Sequence, residues 1–291
     1  MMLMQQIVNG ALLGAVYMLV ALSFTIMIGV LNFLNFSLPG LFALGGMLTW
    51  ICLHAGWGPV WAMVLAPAAV VAVALVTEWL VYWPSRLRDP TLPLVSSLAF
   101  LVLIENLLVA ICGSDQQALP PVVTGLNIHV SGLVISGIQV GSLLLSIGVV
   151  IWLSWFLRAT GMGRQIRCMA ENTETALLLG FNIVRLVRML FIISALLSAV
   201  AGILFACNYQ QVSPFMGEEV GFKGLAAMII GGVGSIWGAV LGGMLLGMVE
   251  VATISCAGAE CVNIVVYGIL LLLLVMRPAG LLGCAPQQEK L

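Results

Sequence analysis

Charge is what this sequence has least of. Only 7% of its 291 residues are Asp, Glu, Lys or Arg, against 62% hydrophobic, whereas a soluble domain carries roughly a quarter charged. Too few polar side chains remain to wet the surface of a chain this long, which excludes a soluble globular fold. Ten basic residues against eleven acidic ones form no basic stripe, so nucleic acid is excluded as a partner. There is no Gly-x-x-x-x-Gly-Lys-Ser/Thr loop; residues 231–238 are glycine-rich but have no lysine, so nucleotide is not expected to bind this chain. The seven cysteines lack zinc spacing, so no metal is expected. No Ser, His and acid fall together at membrane depth, which disfavours an enzyme. Residues 1–6 also lack the Lys or Arg of a signal peptide, and the first apolar stretch is expected to stay as a span.

What the sequence does have is apolar length. Runs that meet or approach the roughly 20 residues needed to cross a bilayer lie at 7–29, 38–53, 60–83, 94–112, 138–157, 190–207, 225–254 and 262–276. The period-2 alternation of a barrel strand is absent, so helices are the way to satisfy the backbone in lipid. The fold class expected is an all-α integral membrane protein, a polytopic bundle of about eight spans within one domain covering 1–291. Tryptophans 57, 61, 79, 83, 152 and 155 sit near run ends, where aromatic belts form.

Basic residues set the orientation. Arg86 and Arg88 follow the third run, Arg158, Arg164, Arg167, Arg185 and Arg188 lie between the fifth and sixth, and Arg277 and Lys290 follow the last. The connection 113–137 has no Lys or Arg. By the positive-inside rule the basic connections are cytoplasmic, 113–137 is outside, and the N-terminus is outside too. Eight simple crossings would then strand Arg277 and Lys290 outside. The conflict disappears if the 30-residue run 225–254 reverses at Gly231, Gly232, Val233, Gly234 and Ser235, since glycine permits a backbone break. A second interruption, 32–40 with Pro39, separates the first two runs. Interrupted spans in both halves point to a transport pathway, ordinary kinks being the alternative.

The one sizeable inside connection is 161–188. Its centre reads as a short helix, with Ile166, Met169, Ala170, Thr173, Ala176, Leu177 and Gly180 recurring at helical spacing. Such a helix either ties two spans together at the surface or fills a groove on a partner.

The residues here carry a resemblance. Glu174, Thr175 and Ala176, then three residues, then Gly180, are similar to the Glu-Ala-Ala, three residues, Gly signature of ABC importer permeases, with Thr175 in place of the first Ala. The Ile-x-Leu-Pro that ends the longer pattern is missing, since Phe191 follows Leu190. Residues 176–182, the glycine-rich 231–247, the ending 277–283 and the opening 6–22 together resemble the branched-chain amino acid importer permeases of the Liv type. The likeness runs over residues 5–283. It departs at Ser37, Leu38, Pro39 and Gly40, where many members have Ala-His-Gly-Glu, and at Trp237, where Pro is usual.

The resemblance implies a permease subunit of an ATP-binding cassette importer in a bacterial inner membrane. It would carry branched-chain or other hydrophobic amino acids. Partners implied are ABC ATPase subunits holding ATP and Mg, a second homologous permease, and a periplasmic substrate-binding protein, with lipid around the spans. Glu174, Thr175, Ala176 and Gly180 would then form the coupling helix that docks on the ATPase. The alternative is a secondary transporter of small organic solutes, which needs a buried carboxylate at mid-membrane.

Glu105 is the candidate for that carboxylate. With Asn106 it lies in mid-run and belongs either to a buried hydrogen-bond network or to the translocation route. Glu78, Lys223 and Glu250 lie nearer run ends and are expected at the interface. Asn32, Asn35 and Ser37, with Gly231, Gly232 and Gly234, are candidates for the pathway; capping of a broken helix end is equally open for the first three. Gly238/Gly242 and Gly243/Gly247, like Gly10/Gly14, have the four-residue spacing of closely packed membrane helices. Cys256 and Cys261 share an outside loop and are expected reduced, a disulfide being the alternative.

Overall fold

The computed structural model describes residues 2–85, 91–120, 127–130 and 133–283. Arg86, Arg88 and Lys290, which entered the orientation count, lie outside the described residues. Among the described residues eleven α-helices of six residues or more run α1 (Met2–Leu31), α2 (Ser37–His54), α3 (Pro59–Thr77), α4 (Leu92–Cys112), α5 (Gly137–Ala159), α6 (Gly161–Glu171), α7 (Thr173–Leu178), α8 (Ile183–Tyr209), α9 (Met216–Gly231), α10 (Ile236–Ala257) and α11 (Val262–Met276). A π-helical turn, Glu78–Tyr82, continues α3. Two small antiparallel ladders, β1 (Gln117–Ala118) with β4 (Gln211–Val212) and β2 (Asn127–Val130) with β3 (Leu133–Ser136), cover one end. Among the described residues eight helices are long and apolar enough to cross a membrane, so the chain is a multi-pass all-α membrane protein.

α1 is the axis of the bundle. It is apolar on every side, the pattern of a helix surrounded by protein, and 89% of its most apolar window is buried. Its glycines let a second backbone approach. A Cβ on Gly14 would lie 2.9 Å from the Cα of Met244, and Gly243 and Gly247 of α10 rest on the backbone of Met18 and Gly14. In lipid, association depends on such close van der Waals contact, because apolar surface gains nothing by leaving acyl chains.

The break between α1 and α2 is built by its own polar residues. Asn32, at φ 49°, ends α1 in the left-handed region that Asn tolerates. The chain then passes Phe33, whose ring stands 5.9 Å from Tyr82, and the Phe36 N–H donates to Ser97 Oγ at 3.0 Å. Asn35 Oδ1 accepts from both the N–H and the hydroxyl of Ser37 at the start of α2. Ser198 of α8 donates to the Leu38 carbonyl at 2.7 Å. α2 thus starts inside the protein, where side chains rather than water satisfy the freed backbone groups.

The apolar run 225–254 is two helices. α9 and α10 lie antiparallel, with Gly231 against Gly238 and Gly242 against Ala227, and the chain turns at 232–235, where Ser235 caps α10 by accepting from the Gly238 N–H. α9 also begins nine residues before the run, at Met216. Met216 packs beside Gly46, in the middle of α2, so α9 starts within the bundle rather than at its surface.

The two ends of the bundle are now distinguishable. A cavity of ≈ 220 Å³ is lined by Gly29, Arg158, Arg167 and Gly234 together, which puts the end of α1, the α5–α6 corner and the α9–α10 turn on one face. Residues 277–283 join them: the N–H groups of Leu281 and Leu282 donate to the carbonyls of Ile230 and Gly231, each at 2.9 Å. Arg277 therefore shares the arginine-rich end, as the reversal requires. At the opposite end β1 and β4 pair, and Trp50 Nε1 donates to the Ala118 carbonyl.

Two expectations need correction here. The span expected at 190–207 begins at Ile183, because Asn182 caps it and accepts from the Arg185 N–H; the arginine-rich connection ends there rather than at 188. The single helix expected within 161–188 is two helices. Asn172 adopts an extended conformation and accepts from the N–H groups of Glu174 and Thr175, ending α6 and starting α7.

Candidate functional site

The α6–α7 segment lies at the arginine-rich end. Thr160 starts α6 by accepting from the Gly163 N–H, and Ile166 and Met169 anchor it in the core. Within α7 Ala176 alone is buried, while Leu177, Leu178 and Leu179 are 57%, 88% and 60% exposed. This revises the face read from periodicity, since Leu177 and Gly180 point away from the protein with Ala170. α7 is closed by the Phe181 N–H donating to Ala176 O and the Gly180 N–H to Leu177 O, the hydrogen-bond pattern of a Schellman end. Gly180 supplies the φ of 79° that this ending requires, and a Cβ there would meet open space. Glu174 and Thr175 are exposed at the start of α7. The result is a rigid corner that presents three adjacent leucines and one carboxylate to whatever lies beyond. Three consecutive leucines between a helix cap and a glycine were the signal available in the sequence for this tip.

Two charges expected at the interface are buried at depth. Lys223 Nζ lies 2.8 Å from Glu250 Oε1 and 3.0 Å from Glu219 Oε1. Glu250 Oε2 accepts from the Tyr17 hydroxyl at 2.7 Å, and Tyr17 is in the middle of α1. Counting residues from the ends of the run placed Lys223 too near the surface, because α9 starts inside the bundle. The network ties α1, α9 and α10 together, and Glu219, with a side chain 67% exposed, is its edge. Glu78 is also buried, but at the arginine-rich end: it accepts from Trp83 Nε1 at 2.9 Å and pairs with Arg188 at 3.4 Å.

Glu105 stands apart. It lies in the middle third of α4 and is 7% exposed, and its Oε1 has no hydrogen-bond partner among the described residues. Its neighbour Asn106 is exposed, and its amide donates to Val102 O of the same helix; the two do not form one polar group. Buried Asn35 Nδ2 and Ser194 Oγ are likewise without partners among the described residues. Gly231 and Gly232 lie in contact with α10 and with Gly283. Gly234 is exposed and faces Gly29. Cys256 and Cys261 are both free.

Comparison with known proteins gives the chain's relatives. The family model described as "Branched-chain amino acid transport system / permease component" matches residues 6–275. The high-affinity branched-chain amino acid transport system permease protein BraD of Pseudomonas aeruginosa is 32% identical over 302 aligned positions, covering 99% of this chain and 97% of the relative. The permease proteins LivH of Escherichia coli K12 and of Salmonella typhimurium LT2, of high-affinity systems with the same description, are each 30% identical and cover 99% of this chain and 97% of their own.

Proposed function

Because the chain belongs to the family of branched-chain amino acid transport permease components, we propose that it imports branched-chain or other hydrophobic amino acids across a bacterial inner membrane as one permease of an ATP-driven complex. In this reading the arginine-rich end is cytoplasmic. ABC ATPase subunits bind ATP and Mg and receive the α6–α7 corner, a second, similar permease stands alongside, and a periplasmic binding protein delivers the solute at the β1–β4 end.

The observation that carries the coupling role is the leucine tip. Apolar side chains as exposed as Leu178 on a capped, rigid corner are unexplained in an isolated permease, and a groove on a partner would remove them from water. The corner is also fixed to the spans through Ile166, Met169 and Ala176, so movement of a docked ATPase is delivered to α5 and α8. ATP acts by binding one conformation of the complex more tightly than the other.

The test is Leu178→Asp in the reconstituted complex. Leu178 makes little contact with its own chain, so insertion and thermal stability of the permease stay unchanged, while uptake of L-leucine and receptor-stimulated ATP hydrolysis fall together. Normal uptake by this variant would remove the corner from the coupling role.

A further inference from the structure

The acid that the charge network leaves out has a companion. Glu105 of α4 and Glu218 of α9 are on different helices, yet both helices close on the same stretch of α2. Leu101 and Ile104 stand over Gly40, and Gly217 and Gly221 rest on Pro39, with Gly217 also touching Ala43. Glu105, one turn on from Leu101, and Glu218, next to Gly217, therefore border the same stretch of α2. Neither belongs to the ion pairs formed among the described residues, because Lys223 is already held by Glu219 and Glu250.

The neighbours of Glu218 along the chain are aromatic. Phe215, the residue that precedes α9, and Phe222 stand one turn to either side of Glu218 and are 49% and 37% exposed, and the Phe36 ring lies 6.2 Å from that of Phe222, tilted by 58°. Phe215, with Met216 and Glu219 of the first turn of α9, also lines a cavity of ≈ 480 Å³ at the β1–β4 end. That cavity adjoins Glu218 through its neighbour Glu219, on the side at which solute arrives in this reading.

A buried carboxylate with an unpaired oxygen is costly at membrane depth and calls for a cation. Resting on the importer reading above, we propose that Glu105 and Glu218 form a passing site for the ammonium group of the amino acid in transit, with Phe215 and Phe222 against its apolar side chain. A strong, fully enclosed site would trap the solute. Two acids, one exposed and one nearly buried, suit a station that must also release.

The experiment uses the complete importer in proteoliposomes with its binding protein, L-leucine as probe, and Glu105→Gln and Glu218→Gln variants, which keep side-chain shape. Loss of one charged contact is expected to slow uptake at saturating binding protein by at least about tenfold, with complex assembly and melting temperature retained; Glu105→Asp should recover part of the rate. Unchanged uptake by both glutamine variants would overturn the site. So would separation of the permease pair or a fall in its melting temperature, which would make Glu105 the counter-ion of a basic residue on the second permease. Failure of the wild type to take up L-leucine with ATP would instead sink the importer reading, leaving the two failures distinguishable.

Discussion

Lys223 and Glu250 meet at 2.8 Å with both side chains at least nine-tenths buried, and Tyr17 holds the second carboxylate oxygen. A pair this far from water is held by the partners' mutual need rather than by net attraction, since the desolvation cost offsets much of the Coulomb gain.

Removing one partner is then worse than removing both. Lys223→Met alone leaves Glu250 charged among apolar side chains and should cost about 3–5 kcal/mol. Lys223→Met combined with Glu250→Leu should recover most of that loss. Thermal unfolding in detergent checks it, and a double variant less stable than either single one would show the network to be a net source of stability.

The bundle was legible in the sequence because apolar length records itself residue by residue. Each of the eight long helices overlaps one of the eight runs, and the reversal at 231–235 followed from the placement of Arg277. Depth was not legible. Whether Met216 starts at the surface or beside Gly46 depends on which helix α9 leans against, and no local pattern carries that. The same gap put Lys223 and Glu250 at the interface and left open whether Glu105 has a hydrogen-bond partner. The α6–α7 corner was half visible: its residues carried a family likeness, while Asn172, a cap inside an apparent helical period, set which face points out.

The reversal has a direct check. In a background without native cysteines, a thiol at Val233, which is 49% exposed, should react with an impermeant reagent from the same side of the membrane as one at Thr173. A thiol at Ala257 should react only from the other side. Labelling of the Val233 and Ala257 sites from one side would mean that α10 does not cross.

Glycine packing makes a sharper demand on α10. A Cβ at Gly247 meets the backbone of Gly14 and Gly10, which cannot swing aside as a side chain can, whereas a Cβ at Gly268 of α11 meets nothing within 4 Å. Gly247→Leu should lower stability by about 1–3 kcal/mol or more, and Gly268→Ala should leave it unchanged. Equal tolerance in a thermal unfolding series would mean that the α1–α10 contact is looser than the structure shows.

At Gly180 backbone and space make separate claims. Its φ of 79° strains an ordinary residue, and its outward face is open. Gly180→Ala should therefore weaken the α7 ending by about 1–2 kcal/mol. Asn tolerates the left-handed conformation, so Gly180→Asn should keep more of the stability while placing a larger side chain where the ATPase is proposed to dock. If docking is close, the Asn variant melts nearer the wild type than the Ala variant does, yet transports less. If transport instead follows stability across Gly, Asn and Ala, the glycine is needed only for the turn. The leucine tip would then be the whole of the contact.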